Sequence, residues 1–282
     1  MADRKITIYH SPDADDAFMF YGLTEGAVQV PGYEFDHELS DIESLNQRAL
    51  KAELECTAVS VHAFPYLNDK YAILTCGASM GGEDYGPRIV AKSDLNLKDG
   101  TVRKIAYPGQ YTSAFLALKI FLKENNIEAE LVNCHFDKIQ AEIEAGNVDA
   151  GVIIHEGQIT HADEGFTLLV DLGKWWFDDT KLPLPLGVNI VRKDLGDEGM
   201  AAVKTALHAS IEYSLQHRDK ALDYALTYGR GITKEEADVF VGMYVNERTL
   251  DIGAEGIEAT KLFLAKGEEY GFIPKMKSLE FV

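Results

Sequence analysis

Short apolar runs and amphipathic stretches take turns along most of the chain. Ile6–Tyr9 reads as a strand, Ser11-Pro12-Asp13-Ala14-Asp15-Asp16 as a loop, and Ala17–Leu23 as a helix. Tyr33–Leu39 alternates apolar and polar positions, as a half-buried strand does. Asp41 stands where an N-cap belongs, ahead of a helix whose Ile42, Leu45, Ala49 and Leu50 share one face. Cys56–Ser60 has the pattern of a short buried strand and leads into a brief helix ending near Leu67. Tyr71–Cys76 and Ile89–Ala91 are strands on either side of a glycine-rich loop. Lys104–Tyr107 is a strand, Pro108-Gly109-Gln110-Tyr111 a loop, and Thr112–Lys123 a strongly apolar helix. Glu130–His135, Ala150–Ile154, Phe166–Asp171 and Val188–Val191 complete the strands, with a helix at Lys138–Ala145. From Asp197 onward the pattern is helical, broken near Gly229-Arg230-Gly231 and at Gly253.

Strands that alternate with helices call for an α/β architecture with mainly parallel sheets. Gly86-Pro87-Arg88-Ile89-Val90-Ala91-Lys92 and Leu184-Pro185-Leu186-Gly187-Val188-Asn189-Ile190-Val191-Arg192 are extended, with Gly or Pro flanking a β-branched centre. Read as crossings between lobes, they enclose an inserted lobe of about 95 residues, a usual domain size. The outer lobe is then 1–90 plus 192–282, and the inserted lobe 91–191. This twice-connected plan resembles the type II periplasmic-binding-protein fold, which also occurs in cytosolic enzymes. A single three-layer domain is the alternative.

Composition narrows the function. The formal charge of −19 disfavours a general nucleic-acid binder and electrostatic docking on anionic membranes. A small anionic ligand remains compatible, because local donors outweigh a screened global field. Cys56, Cys76 and Cys134 form no CxxC pair, which fits reduced thiols in a cytosolic protein. The first ten residues hold no apolar run of signal-peptide kind, and no apolar stretch reaches the ~18 residues that span a bilayer.

Several residues are candidates for chemistry. Thr112 and Ser113 fall where a helix begins, so unpaired backbone N–H groups, the positive end of the helix dipole and two hydroxyls converge there; a carboxylate fits. Thr112 can equally be no more than the cap of its own helix. His155 lies at the tip of an apolar strand, where α/β sheets bind ligands, and an imidazole there can act as a general base. A structural His bonded to backbone is the other reading. His155-Glu156 does not extend to a zinc motif, since position 159 is Ile. Ser60 ends a strand and is either a ligand contact from the opposite lobe or a turn hydroxyl. Asp13, Asp15 and Asp16 lack the Gly and Glu of a calcium loop and read as a solvated loop capping the next helix. The glycines at 77–86 spell no nucleotide motif. Trp175 and Trp176 are adjacent, so one belongs in the core and the other lines a cleft, or both are core. Tyr244 and Asn246 read as packing and solvent positions. There is no GxSxG motif and no cysteine has an evident His partner, so nucleophilic catalysis is not suggested.

Taken together, Ser11-Pro12…Asp16…Phe18-Met19-Phe20-Tyr21, Ile153-Ile154-His155-Glu156, Asp171-Leu172-Gly173-Lys174-Trp175-Trp176, Leu182-Pro183-Leu184-Pro185-Leu186-Gly187, Tyr244-Val245-Asn246 and Leu250-Asp251-Ile252-Gly253 resemble the 1,4-dihydroxy-6-naphthoate synthases of the futalosine route to menaquinone. The resemblance implies a cytoplasmic lyase that converts cyclic dehypoxanthinyl futalosine to 1,4-dihydroxy-6-naphthoate and releases a three-carbon fragment. It implies His155 as proton acceptor, and ligand contacts from Ala58, Val59, Ser60, Ser113 and Ala114. Thr112 is added on capping grounds. With no net oxidation, no metal or redox cofactor is expected. The expected partner is a small carboxylate between the lobes, with no nucleic acid and no membrane insertion. The family's first loop often reads Ser-Pro-Cys-Pro-Asn-Asp, whereas this chain has Ser-Pro-Asp-Ala-Asp-Asp, so the resemblance assigns no ligand role to Asp13–Asp15. Two rivals are chorismate dehydratase, a sister enzyme of the pathway, and a non-catalytic binding protein for small acids.

Overall fold

The computed structural model describes residues 4–228 and 232–282, so the helix break read at Gly229-Arg230-Gly231 lies outside the described residues. The α/β class is as expected, built as two sheets with helices around them. The first half runs β1 (Arg4–His10), α1 (Ala14–Thr24), β2 (Tyr33–Leu39), α2 (Ile42–Leu50), β3 (Cys56–Ser60), β4 (Tyr71–Ile73) and β5 (Ser79–Met80). Next come β6 (Arg88–Ala91), β7 (Lys104–Tyr107), α3 (Ser113–Glu124), β8 (Glu130–Asn133), α4 (Ile139–Glu144), β9 (Ala150–Ile153), α5 (Gly157–Thr160), β10 (Thr167–Asp171) and α6 (Leu172–Thr180). The chain then returns through β11 (Pro185–Arg192) to α7 (Gly196–Gln216), α8 (Arg218–Leu226), α9 (Lys234–Tyr244), α10 (Glu247–Leu250) and α11 (Gly253–Glu269).

The two sheets share one topology. The first is ordered β2-β1-β3-β11-β4, with β5 also on β11; the second, read from β8, is β8-β7-β9-β6-β10. In each, three parallel strands are followed by one antiparallel strand that pairs with a fourth. The antiparallel strand is the first one after each lobe crossing, β11 in one sheet and β6 in the other. The sheets are therefore mixed rather than mainly parallel, because the strand that enters a sheet from a crossing runs against its three parallel strands.

Strand pairing also moves the lobe boundaries. The chain changes sheet between β5 and β6 and returns between β10 and β11, so all of β6 belongs to the second sheet and all of β11 to the first. The division expected at 90/91 and 191/192 cuts both strands. A β-branched centre flanked by Gly and Pro looks like a hinge in isolation, but it is what a buried strand requires, and Ile89–Ala91 and Asn189–Val191 are fully covered.

A continuous apolar core joins the lobes. It includes Val59, Ile73 and Ile190 of the first sheet, Ile105 and Val152 of the second, and most of α3. Trp176 of α6 lies edge-on to Phe263 of α11, with ring centroids 5.4 Å apart, and its indole N–H donates to Pro183 O at 3.2 Å. A second cluster packs α1, α7 and α9 over the first sheet. Among the described residues, no helix is long and apolar enough to cross a membrane.

Candidate active site

The parallel strands β1 and β3 of one lobe, and β7 and β9 of the other, end at a common cleft. Its volume is about 750 Å³ including the mouth open to solvent. Ligands in α/β sheets bind beyond such strand ends. The contacts across the gap pair β1 with β9, through Asp13 and His155, and β3 with β7, through His62 and Ser113. The cleft thus has two ends of different chemistry.

At the β3/β7 end, Thr112 caps α3 as expected: its hydroxyl accepts from Phe115 N at 3.3 Å and donates to Gly109 O at 2.9 Å. The Ser113 hydroxyl is also committed, donating to Leu186 O at 2.5 Å and accepting from His62 N at 3.2 Å, so it clasps the two lobes. What these two residues and Ala114 offer a ligand is therefore backbone, at the positive end of a 12-residue helix. Ser60 faces them from the first lobe. Its N–H donates to Asn46 Oδ1 at 2.9 Å and its Oγ accepts from Asn46 Nδ2 at 3.2 Å, which orients the hydroxyl on the cleft wall. Ala58 shares that face of β3, whereas Val59 points the other way and is buried in the core. The structure brings Ala58, Ser60, Thr112, Ser113 and Ala114 together on the cleft and leaves the Val59 side chain out of it.

At the β1/β9 end, His155 follows the last residues of β9 with a left-handed backbone (φ 57°), which histidine tolerates better than most side chains. Its Nδ1 lies 3.1 Å from Asp13 Oδ2, and the Phe136 ring meets its ring edge-on at 5.0 Å. The Ser11 hydroxyl donates to the same Asp13 oxygen. Asp13, Asp15 and Asp16 are thus not a solvated loop: all three are buried and line the cleft. Burial, with Asp16, Asp13 and Glu156 nearby, pushes the Asp15 carboxyl well above the ordinary carboxylate range. Burial and then Asp13 raise Asp16 to about 7, although the Ser11 N–H at 2.9 Å pulls the other way. Among the described residues, no group of three or more His, Cys, Asp or Glu could hold a metal ion.

Tyr244 lines the cleft rather than serving as mere packing. Burial pushes its phenol up, and the hydroxyl donates to Gln158 Oε1 at 2.5 Å across the lobes. Neither tryptophan lines it: Trp176 is core, and Trp175 packs edge-on to Phe121 at 5.2 Å.

Comparisons with known proteins agree with this architecture. The sequence profile for menaquinone biosynthesis matches residues 6–269. The chain belongs to the menaquinone biosynthesis family. It is 35% identical over 261 residues to a 1,4-dihydroxy-6-naphthoate synthase of Thermus thermophilus, covering 93% of each chain. It is 31% identical to one of Streptomyces coelicolor, covering 98% of this chain and 97% of that one. An X-ray structure of an Archaeoglobus fulgidus protein superposes with a TM-score of 0.89 at 45% identity, covering 95% of this chain and 98% of that one. The alkanesulfonate-binding protein SsuA of Xanthomonas axonopodis has a TM-score of 0.74 at 12% identity, covering 98% and 96%, which shows the periplasmic-binding-protein-like fold alone.

Within this menaquinone biosynthesis chain, two sequence motifs hold the crossings in place. Asp171 caps α6 by accepting from Gly173 N and Lys174 N, both at 3.0 Å, and pairs with Arg88 of β6 at 3.1 Å. Leu184 O accepts from Gly81 N at 2.8 Å, and Gly187 pairs with both Ser60 and Ser79. Sequence reasoning missed Gly77, Ser79, Gln158 and Phe240 as cleft lining. Only the glycine density at 77–86 hinted at a close backbone approach there.

Proposed function

We propose that the chain is a 1,4-dihydroxy-6-naphthoate synthase that acts on cyclic dehypoxanthinyl futalosine within the cleft. The substrate carboxylate would lie at the β3/β7 end, on the α3 amides and the Ser60 hydroxyl. That orientation puts the saturated portion at the β1/β9 end. There His155 takes a proton from carbon, carbon–carbon cleavage follows, and formation of the aromatic bicycle supplies driving force. Asp15 and Asp16, held neutral further up the pH scale than ordinary carboxyls, can donate hydrogen bonds to substrate oxygens. Closed lobes exclude water from the intermediate. The three free cysteines support a reducing, cytoplasmic setting.

The observation that carries the reading is the opposition of an imidazole at one end of a single cleft to a helix N-terminus at the other. The test is incubation of the purified protein with cyclic dehypoxanthinyl futalosine, with mass spectrometry of the products. Naphthoate is expected. Dehydration of chorismate in its place, or tight binding of a small acid without product, would overturn the proposal.

A further inference from the structure

Asp13 occupies a position whose ordinary use it declines. It is the N-cap residue of α1, with extended backbone (φ −84°, ψ 158°), yet its carboxylate makes no hydrogen bond to the first turn of that helix. An aspartate cap is typically worth ~1 kcal/mol. Here the carboxylate turns across the interlobe gap, and its Oδ2 lies 3.1 Å from His155 Nδ1. Ser11, two residues earlier, donates its hydroxyl to the same oxygen and so holds the carboxylate itself. The contact is shielded: the Asp13 side chain is 4% exposed and that of His155 16%.

We propose that Asp13 is a positioning residue for His155, fixing which ring nitrogen faces the substrate. The inference rests on the reading of His155 as the base. A carboxylate only accepts hydrogen bonds, so Asp13 Oδ2 at 3.1 Å from Nδ1 favours the tautomer with its hydrogen on Nδ1 and its lone pair on Nε2. When Nε2 takes a proton from substrate carbon, the bonding pair stays on that carbon and the new imidazolium faces an anion. Asp13 itself takes no proton. The arrangement follows the logic by which a buried carboxylate sets imidazole tautomer and orientation in hydrolase triads. One partner comes from each lobe, so the oriented base exists only while the lobes are together as seen here. Phe136, edge-on to the ring at 5.0 Å, packs against it and restricts its rotation.

A double-mutant cycle tests this on the full-length protein, with cyclic dehypoxanthinyl futalosine as substrate. Asp13→Asn, nearly isosteric, is expected to lower kcat about 10- to 1,000-fold with KM within about threefold, a loss no larger than that of His155→Ala. In the His155→Ala background, Asp13→Asn is expected to change kcat less than about twofold, because nothing remains to position. Independent of any variant, ¹⁵N NMR of histidine-labelled wild-type protein should show the Nδ1–H tautomer for the neutral ring of His155. The proposal is overturned if Asp13→Asn retains wild-type kcat, if its loss persists undiminished in the His155→Ala background, or if the ring carries its hydrogen on Nε2. His155→Ala at wild-type turnover would overturn the assignment of the base first and this inference with it. A slow His155→Ala with undiminished additivity would sink only the role of Asp13.

Discussion

Replacing Asp16 by Asn tests how the acidic end of the cleft is built. The residue is 9% exposed, and its carboxylate accepts from Ser11 N at 2.9 Å. Burial, then the neighbouring Asp13, carries its pKa from 3.8 to about 7. A carboxyl raised in this way favours the folded state as the neutral acid. That contribution is fully present below about pH 4, where the unfolded chain also binds the proton, and is lost as pH rises through about 7. Ionisation at pH 8 then has a ceiling of roughly 4 kcal/mol, at ~1.4 kcal/mol per tenfold change. Asp15 is pushed in the same direction and shares the charge, so about 2 kcal/mol is expected from Asp16 alone. Asparagine keeps an acceptor oxygen for the Ser11 amide and carries no charge. Asp16→Asn should therefore melt about 4 °C above wild type at pH 8 and within about 1 °C of it near pH 4, with the gap opening between those values. His10 and His62, both pushed down to about 3 chiefly by burial, act in the opposite sense: their contribution is present above about pH 6.5 and lost as pH falls toward 3. They are common to both proteins and cancel in the difference, which calorimetry across the pH range reads directly. A difference that does not vary with pH, or a wild type that outlasts the variant at pH 8, would refute the reasoning.

Two further outcomes follow from the cleft and the crossings. Ser60→Ala removes a hydroxyl from the carboxylate end, so KM should rise roughly tenfold with kcat within about threefold in steady-state kinetics, as suits a hydrogen bond to a charged group; an unchanged KM would remove Ser60 from the binding site. Gly173→Ala drives a Cβ into the carbonyl oxygen of Tyr85, in the backbone of the crossing, and should destabilise the protein by about 3 kcal/mol in denaturant titration.

Local pattern made the elements legible where one segment carries its own signal. At 104–124 a short apolar run (Ile105-Ala106-Tyr107), a Pro-Gly turn and a hydroxyl ahead of apolar helical spacing place β7, the Thr112 cap and α3 with little error. Pairing partners were not legible. Val188–Val191 reads as a strand from its residues alone, but nothing in them says that it joins the first sheet beside β3. The shared topology of the two sheets left no repeat in the sequence, because loop and helix lengths differ between the lobes while only the order of pairing is kept. The acidic loop was misread for a related reason. Three aspartates within four residues look solvated, and only the closing of the second lobe, which brings His155 onto Asp13, reveals them as buried. Gln158 and Tyr244 are 86 residues apart and meet only across the cleft, so no local spacing could have joined them.

His155 is proposed to move a proton in a cleft that binds its substrate by other groups. Single-turnover kinetics with cyclic dehypoxanthinyl futalosine, run beside calorimetric titration of the same ligand, measures both halves at once. His155→Ala is expected to form naphthoate about 100- to 10,000-fold more slowly than wild type while its dissociation constant stays within about threefold. Naphthoate formation within twofold of the wild-type rate would contradict that role.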